Sequence, residues 1–498
     1  MAVAATKRKY SLVGENTILA LQRGLAEATW YTSPVPKEKM RELLKRRDGP
    51  AIRDTLLWFA ILIGCGVSGY LLWKAGSWWA VVPFMIYGVI YASSSDSRWH
   101  ESGHGTAFKT NWMNNALYEI ASFMVMRESV PWRWSHVRHH SDTIIVGRDP
   151  EIAVPRPPDI RGLLLSLFSL RTIPKYFGHV LLHSLGRITP EEKTYLPESE
   201  YGKAFLRARI YLLIYLSVIG LAIYYRSLLP LMYIGFPQLY GAWLQPIYGY
   251  TQHAGLAENV LDHRLNCRTL YMDPINRFIY WNMNYHVEHH MFPLVPYHNL
   301  PRLHELVKPD MPTPYRNLYD CWREIIPAVW RQVKDPSYYV ERKLPTPTLS
   351  LAPGGTPGPR IFTAKGRVVN GWVEVCVSGF LKPEDVIRFD HEGSTYAIYR
   401  DAEGRLFATD GLCTHAGAHL AEGFVKGRLI ECPKHNGRFD FTDGSAQRKP
   451  ACVALRTFPA REHDSKIFLN LTPLAVKREG VKREAEPVSR QLDTAAAA

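Results

Sequence analysis

Tyr285-His286-Val287-Glu288-His289-His290 lies near the middle of a 498-residue chain and sets three imidazoles at i, i+3 and i+4. On a helix those positions share one face and can hold a first-row transition metal. The pattern recurs as His136-Val137-Arg138-His139-His140, and His100-Glu101-Ser102-Gly103-His104 adds an i, i+4 pair. Eight histidines in three metal-spaced groups exceed what one ion with an open position needs. They predict a two-metal centre in an imidazole cage, with iron as the expected metal.

Outward from the boxes the chain turns apolar. Residues 55–73 and 75–95 are uncharged runs separated by Lys74, and 210–225 and 227–257 form a second pair around Arg226. Each run is about long enough to cross a hydrocarbon layer of ~30 Å. Buried helices of a soluble protein are the competing reading; two adjacent runs of this length favour hairpins of spanning helices, four spans in all. The net charge of +14 is concentrated just before the first span, at Lys37, Lys39, Arg41, Lys45, Arg46, Arg47 and Arg53. That is the positive-inside pattern of an integral membrane protein and not a nucleic-acid footprint. It places the N-terminus, the central loop and the C-terminal half in the cytoplasm, at an inner membrane if the source is bacterial. The first thirty residues lack a continuous apolar h-region, so no signal peptide is expected. All three boxes then fall at one membrane-cytoplasm boundary, with His253 at the end of the fourth span. Residues 114–126 and 162–187 are too short or too interrupted to cross and read as interfacial segments roofing the site. Residues 15–30 and 36–48 read as amphipathic helices, lying along the headgroup layer or on an ordinary protein surface.

The expected fold class is α+β multidomain. Residues 1–53 form an N-terminal amphipathic cytosolic segment, and 54–340 form the helical membrane domain. Residues 341–370 form a linker whose stretch 344–360 is dense in Pro and Gly. Residues 371–475 alternate in short runs, such as Trp372–Val377 and Ser394–Tyr399, split by Gly and Asp turns, and predict a small all-β domain. Residues 476–498 are expected to be a disordered tail. The seven cysteines are scattered and do not form a disulfide framework. Cys413-Thr414-His415 and Cys432-Pro433-Lys434-His435 are C-x-H and C-x-x-H pairs that fit a Rieske [2Fe–2S] centre, two thiolates on one iron and two imidazoles on the other. Zinc takes the same ligand set; the β-rich context favours the cluster. His419 reads as a surface residue. No mononuclear-iron catalytic domain follows, so the β domain is expected to carry electrons to the histidine cage of its own chain.

These residues resemble a known combination. His100/His104, His136/His139/His140 and His286/His289/His290 resemble the three histidine boxes of the membrane fatty acid desaturase/hydroxylase superfamily. The similarity extends over about 50–340 and includes Gly147–Ile152 and His290–Pro293. The resemblance implies that the eight box histidines are di-iron ligands and that His253 is an additional one. Where some members supply an Asn four residues before that histidine, this chain has Gly249. His263 is a weaker candidate with a structural role expected. The C-terminal domain resembles stand-alone Rieske ferredoxins through Ala408–His415 and Glu431–Asp440; Ala418 and Lys434 leave no disulfide of the respiratory-chain kind. Together the halves resemble the oxygenase and ferredoxin pair of bacterial rhizopine catabolism, associated with removal of an O-methyl group.

The implied cofactors are two Fe ions and a Rieske [2Fe–2S] cluster, with O2 as co-substrate. The implied partners are the lipid bilayer and a flavin-dependent NAD(P)H ferredoxin reductase. The implied reaction is O2-dependent attack on an unactivated C–H bond of an acyl lipid, giving desaturation or hydroxylation. Oxidative O-demethylation of a methoxylated small molecule is the alternative, and a non-catalytic membrane-tethered electron carrier is a second one. No catalytic residue beyond the metal ligands is expected. Glu101, Asp142, Asp149 and Glu288 are candidates for orienting ligand N–H groups, and Trp134, Trp281 and Tyr285 for lining a substrate channel.

Overall fold

The computed structural model describes residues 9–26, 28–345, 361–363, 368, 370–415, 417–434 and 437–474. The expected tail lies wholly, and the expected linker largely, outside the described residues.

Helices α1 (Glu15–Gln22) and α2 (Lys37–Leu43) precede α3, Asp48–Lys74. The buried residues Ala51, Asp54, Trp58, Leu62, Gly66 and Gly69 recur every three or four positions along α3, whereas Leu56, Leu57, Ile63, Val67 and Leu71 are exposed. One stripe therefore faces protein and the rest is free to face an apolar medium. Asp48 ties the start of α3 to Thr110, accepting from its backbone N–H at 2.9 Å and its hydroxyl at 2.8 Å. Helix α4 (Val81–His104) returns alongside, and its C-terminal half turns polar yet stays buried: Ser93, Ser94, Ser95, Ser97, Arg98, His100, Glu101 and Ser102. Gly105, with φ +68°, ends α4 directly after His104 in the left-handed conformation that glycine adopts without strain.

Helices α5 (Asn111–Met124), α6 (Ser129–Ser141), α7 (Ile160–Ser166) and α8 (Thr172–Ser184) follow, then α9, Tyr201–Tyr224. The expected interfacial segments are thus largely helical, and Ile120, Leu164, Phe168 and Leu181 on them are exposed. The expected fourth span departs from a single helix. It forms α10 (Leu229–Tyr233), α11 (Pro237–Tyr240) and α12 (Leu244–His253). Pro230 and Pro237 start two of these. The close packing at Gly241 explains the last break, since a Cβ there would lie 1.9 Å from the Gly88 carbonyl carbon of α4. Among the described residues two helical stretches, Lys37–Lys74 and Glu198–Tyr224, are long and apolar enough to cross a membrane. Short helices α13 (His263–Asn266), α14 (Pro274–Tyr280), α15 (His286–Met291) and α16 (Leu300–Val307) and the longer α17 (Leu318–Lys334) complete the helical part.

His183 locks this part together beneath box two. It is fully buried on α8 and donates through Nδ1 to Glu128, the residue before α6, at 2.8 Å and through Nε2 to Glu192 at 3.1 Å. Donation from both nitrogens requires the imidazolium. Burial opposes that charge, but the two carboxylates outweigh it and push the His183 pKa up to about 9. A raised folded-state pKa stabilises fully below the unfolded value near 6.5, and the contribution is lost as pH climbs through 9. Thermal unfolding followed from pH 6.5 to 10 is therefore expected to show a fall of roughly 5 °C or more in Tm. The pH-dependent part of that fall should be absent in His183→Asn; an equal fall in both proteins refutes the lock.

The β part has a five-stranded sheet in the order β1 (Ile361–Thr363), β3 (Asp385–His391), β4 (Ser394–Arg400), β5 (Leu406–Asp410) and β10 (Thr457–Phe458). A second sheet joins β11 (Ala460–His463), β12 (Lys466–Asn470) and β2 (Trp372–Val377). A third is the meander β6 (Phe424–Lys426), β7 (Leu429–Glu431), β8 (Arg438–Asp440) and β9 (Ala446–Arg448). The alternating runs read from the sequence, among them Arg405–Thr409 and Arg428–Cys432, correspond to β2, β4, β5 and β7. Of the two placements open for 36–48, the protein surface is the one that has contacts here: Lys37 and Arg41 of α2 reach Asp385 of β3 at 3.3 and 3.4 Å.

Candidate metal centre

The boxes do not each hold one metal. His100, His104, His136, His140 and His289 converge as one set, and His139, His253, His286 and His290 as another, with the donor nitrogens of each set within 4.8 Å of one another. Helix geometry explains the division. On α6 the i, i+4 pair His136/His140 points to the first set, and His139 between them crosses to the second. On α15 the arrangement is inverted, with His286/His290 in the second set and His289 reaching the first. The sets touch through His140 and His290, whose rings stack at 4.2 Å. No carboxylate belongs to either set.

Three observations fit metal ions here. Nitrogens bound at about 2.1 Å and at right angles lie ~3.0 Å apart; Nε2 atoms are 3.0 Å apart in His253/His286 and His286/His290, 3.1 Å in His104/His136 and 2.7 Å in His100/His289. His136 and His253 spend their Nδ1–H elsewhere, so their Nε2 lone pairs face other imidazole nitrogens, which a cation between them would reconcile. Both ring nitrogens of buried His140 lack a hydrogen-bond partner among the described residues. Burial, reinforced by neighbouring imidazoles, pulls His140, His286, His289 and His290 well below the usual histidine range, leaving neutral donors.

The groups that orient these rings differ from those expected. Asp149 accepts from His139 Nδ1 at 2.9 Å, as expected. Glu101 instead binds Thr106 and the Tyr297 N–H, Asp142 pairs with Arg138 and Arg148, and Glu288 holds His304 and Thr269. The sequence reading missed Glu151, which accepts from His136 Nδ1 at 3.1 Å and from the Ser135 hydroxyl at 2.7 Å. It also missed the Asn266 carbonyl, which accepts from His253 Nδ1 at 2.8 Å. Glu151 lies in the Gly147–Ile152 stretch that carried the resemblance, but fifteen residues from its histidine. His263 belongs to neither main set and stacks on Trp30 at 4.3 Å, a structural role. Trp281 stacks on Tyr297 and Tyr285 packs against His304, and neither lines the cavities described below.

A cavity of about 280 Å³ opens onto both sets, touching His100 and His136 of the first and His139 and His253 of the second. Asp96, Arg127, Glu151, Lys175 and Gln252 line it. Gly249 also lines it, and its missing Cβ would meet open space. A larger cavity of about 480 Å³ lies at the seam between the helical and β parts and touches only His104 and His140.

In the β part, Cys413 and His415 occupy the loop after β5 and Cys432 follows β7. The Cys413 N–H donates to the Ala418 carbonyl at 2.9 Å and the Cys432 N–H to the Gly437 carbonyl at 2.8 Å. Both cysteines are buried in one core with Leu420, Ile430 and Phe439. His435 lies outside the described residues. His419, expected at the surface, is buried: its Nε2 meets the Thr395 hydroxyl at 2.7 Å, and its Nδ1 accepts from the Ala421 N–H at 3.0 Å.

The family model described as fatty acid desaturase matches residues 76–322, and that described as Rieske [2Fe-2S] domain matches 371–459. The chain carries a fatty acid desaturase domain followed by a Rieske domain of the ferredoxin family. The desaturase match spans every box, and the Rieske match spans Cys413 to His435. The ferredoxin component of the naphthalene 1,2-dioxygenase system of Pseudomonas putida is 36% identical over 101 residues, which is 20% of this chain and 96% of that protein. Cholesterol 7-desaturase of Xenopus laevis is 35% identical over 107 residues, 20% of this chain and 24% of that protein. Among solved structures, the ferredoxin of carbazole 1,9a-dioxygenase from Nocardioides aromaticivorans has 30% identity. It covers 20% of this chain and 97% of that one, with a TM-score of 0.19. The desaturase–Rieske chain is an oxygen-dependent oxidoreductase that uses iron and a [2Fe–2S] cluster.

Proposed function

We propose that this desaturase–Rieske protein oxidises an unactivated C–H bond of a compact polar molecule at a di-iron centre, with electrons delivered in cis. The observation that carries the reading is the cavity shared by both histidine sets. Its lining includes the Arg127–Asp96 pair, Glu151, Lys175 and Gln252, polar groups that an acyl chain has no means to engage. A substrate bearing hydroxyl or amino groups could hydrogen-bond to them. Oxidation of a methoxy carbon is one such reaction: R–OCH3 + O2 + 2 e⁻ + 2 H⁺ gives R–OH, formaldehyde and water.

His100, His104, His136, His140 and His289 would hold one iron, and His139, His253, His286 and His290 the other. Cys413, His415, Cys432 and His435 would hold the cluster. When bound, the irons supply reductive activation of O2 and oxidation of the C–H bond. The protein contributes orientation. Glu151, Asp149 and the Asn266 carbonyl fix the tautomers of His136, His139 and His253, so that Nε2 of each points inward. Burial opposes ionisation of Glu151, but His136 and Arg127 hold its carboxyl down at about 2, so it stays an acceptor throughout the physiological range. Arg127 pairs with Asp96 and lies over the rings of Trp99 and Trp132 at 4.4 and 4.7 Å, a rigid polar wall. Substrate placement against that wall decides which C–H bond is presented.

Acyl-lipid oxidation is the second reading, favoured by the exposed apolar faces of α3 and α9, which suit a site at a bilayer edge with the catalytic parts cytoplasmic. A flavin-dependent NAD(P)H reductase fits as the electron source. The test supplies purified protein and reductase with methoxylated cyclitols in one arm and phospholipid vesicles in the other, followed by mass spectrometry. Formaldehyde release stoichiometric with O2 uptake supports the polar-substrate reading. Acyl chains lighter by two hydrogens or carrying one added oxygen overturn it in favour of the lipid.

A further inference from the structure

The basic run before α3, read from the sequence as a topology signal, has carboxylate partners on the β domain. Lys37 Nζ lies 3.3 Å from Asp385 and 3.3 Å from the Val386 carbonyl, and Arg41 donates to the Glu384 carbonyl at 2.7 Å. Arg46 meets Glu431 at 2.7 Å in a nearly buried pair. Glu431 directly precedes the cluster ligand Cys432. Contacts also run from the β domain to the histidine sets. Arg448 donates to the carbonyl of His104 at 2.9 Å and occupies the space that a side chain at Gly105 would fill. Lys449 pairs with Glu200. At the centre of this face the His415 ring lies 6.2 Å from the ring of Trp134, which is buried on α6 two residues before His136. Leu412, Gly417 and Pro433, from the two cluster loops, close a cavity whose opposite wall includes His140 and His290.

Resting on the cis-delivery reading above, we propose that Lys37, Arg41 and Arg46 form a built-in clamp that docks the Rieske domain with His415 against Trp134, making the box-two helix the point of electron entry. The geometry favours this face for three reasons. His415 binds the cluster through its ring, so the group nearest the acceptor is itself a cluster ligand. Trp134 packs against Leu196 and Ala204, which holds its ring on the His415 side of α6. A covalently tethered domain has an effective concentration near the millimolar range, so ion pairs worth little in isolation suffice to select one docked orientation. Each transfer takes one electron from the reduced cluster and reduces one ferric ion of the histidine centre to ferrous. The NAD(P)H-dependent flavoprotein reductase then restores the cluster, and two transfers serve one O2.

Docking is tested first without turnover. Carbodiimide treatment of the full chain should join Lys37 to Asp385, recovered as one cross-linked peptide by mass spectrometry. No cross-link in the wild type overturns the docked arrangement. Stopped-flow reoxidation of the dithionite-reduced cluster by O2 and substrate then reads the route. Lys37→Glu with Arg41→Glu should slow it about 10-fold or more at low salt, and adding Asp385→Lys should recover most of the rate. Trp134→Leu should slow it comparably, with iron content and the cluster's absorbance unchanged. Wild-type rates in the clamp variants or in Trp134→Leu refute the clamp or the route. If those rates are normal while Cys413→Ser abolishes NAD(P)H-driven turnover, cis delivery survives and this docking face does not. If Cys413→Ser turns over normally, cis delivery itself fails, whatever the cross-link shows.

Discussion

His286→Ala is expected to remove about one of four irons per chain and to bring turnover below detection, while His104→Ala keeps its metal and loses activity only about 10- to 100-fold. The difference follows from how the histidines divide. His104 belongs to a set of five, and its loss leaves four nitrogens around the ion. His286 belongs to a set of four, and its Nε2 lies 3.0 Å from both His253 and His290, so its loss leaves three donors and removes their common neighbour. Asp149→Asn should fall between them, because the ring of His139 remains but loses the carboxylate that orients it. Iron per chain by plasma mass spectrometry, with the cluster counted separately from its absorbance, reads all three variants. Equal iron loss from His104→Ala and His286→Ala would mean that the two sets are not separate sites.

That contrast was not legible in the sequence, although the histidines were. Spacing of i, i+4 points to a helical metal pair, whereas His253, alone at the end of an apolar run, was named as a ligand only through the family resemblance. The crossing of His139 and His289 between sets depends on how α6 and α15 face each other, which no local pattern encodes. Glu151 was hidden for a related reason: it reaches His136 only because the chain after α6 folds back across fifteen residues. The strands β2, β4, β5 and β7 were readable from alternation, a purely local signal. The fourth span was over-read because apolar composition masks chain breaks. Pro230, Pro237 and Gly241 are as apolar as their neighbours, yet they interrupt the helix where Gly88 packs close. The basic segment before α3 was read as a topology signal alone, because Asp385 and Glu431, its counter-charges, lie more than 300 residues away. A buried His419 shows the same limit, since Thr395 fixes it from another strand.

Cys413→Ser is expected to abolish NAD(P)H-driven turnover completely while leaving about two irons in the histidine sets. Cys413 is 4% exposed and shares a core with Ile430, Phe439 and Cys432, so no solvent ligand can replace its thiolate, and a serine hydroxyl is a poor donor to the cluster. The loop itself should survive, because its 2.9 Å hydrogen bond to Ala418 is made by backbone. The variant therefore separates wire from chemistry. Reduced chemically with dithionite and then exposed to O2 and substrate, it should give close to one product per chain in a single turnover, the yield of the wild type under the same treatment. If dithionite fails to restore that turnover, the substitution has damaged the helical domain, and the ion pairs joining Glu431 and Asp385 to α2 and its neighbours become the route to examine for the coupling. Full NAD(P)H-driven turnover would instead mean that electrons reach the histidine centre directly from the reductase. The Rieske domain would then have to serve another acceptor, although its proposed ligand His415 lies beside Trp134 on the box-two helix.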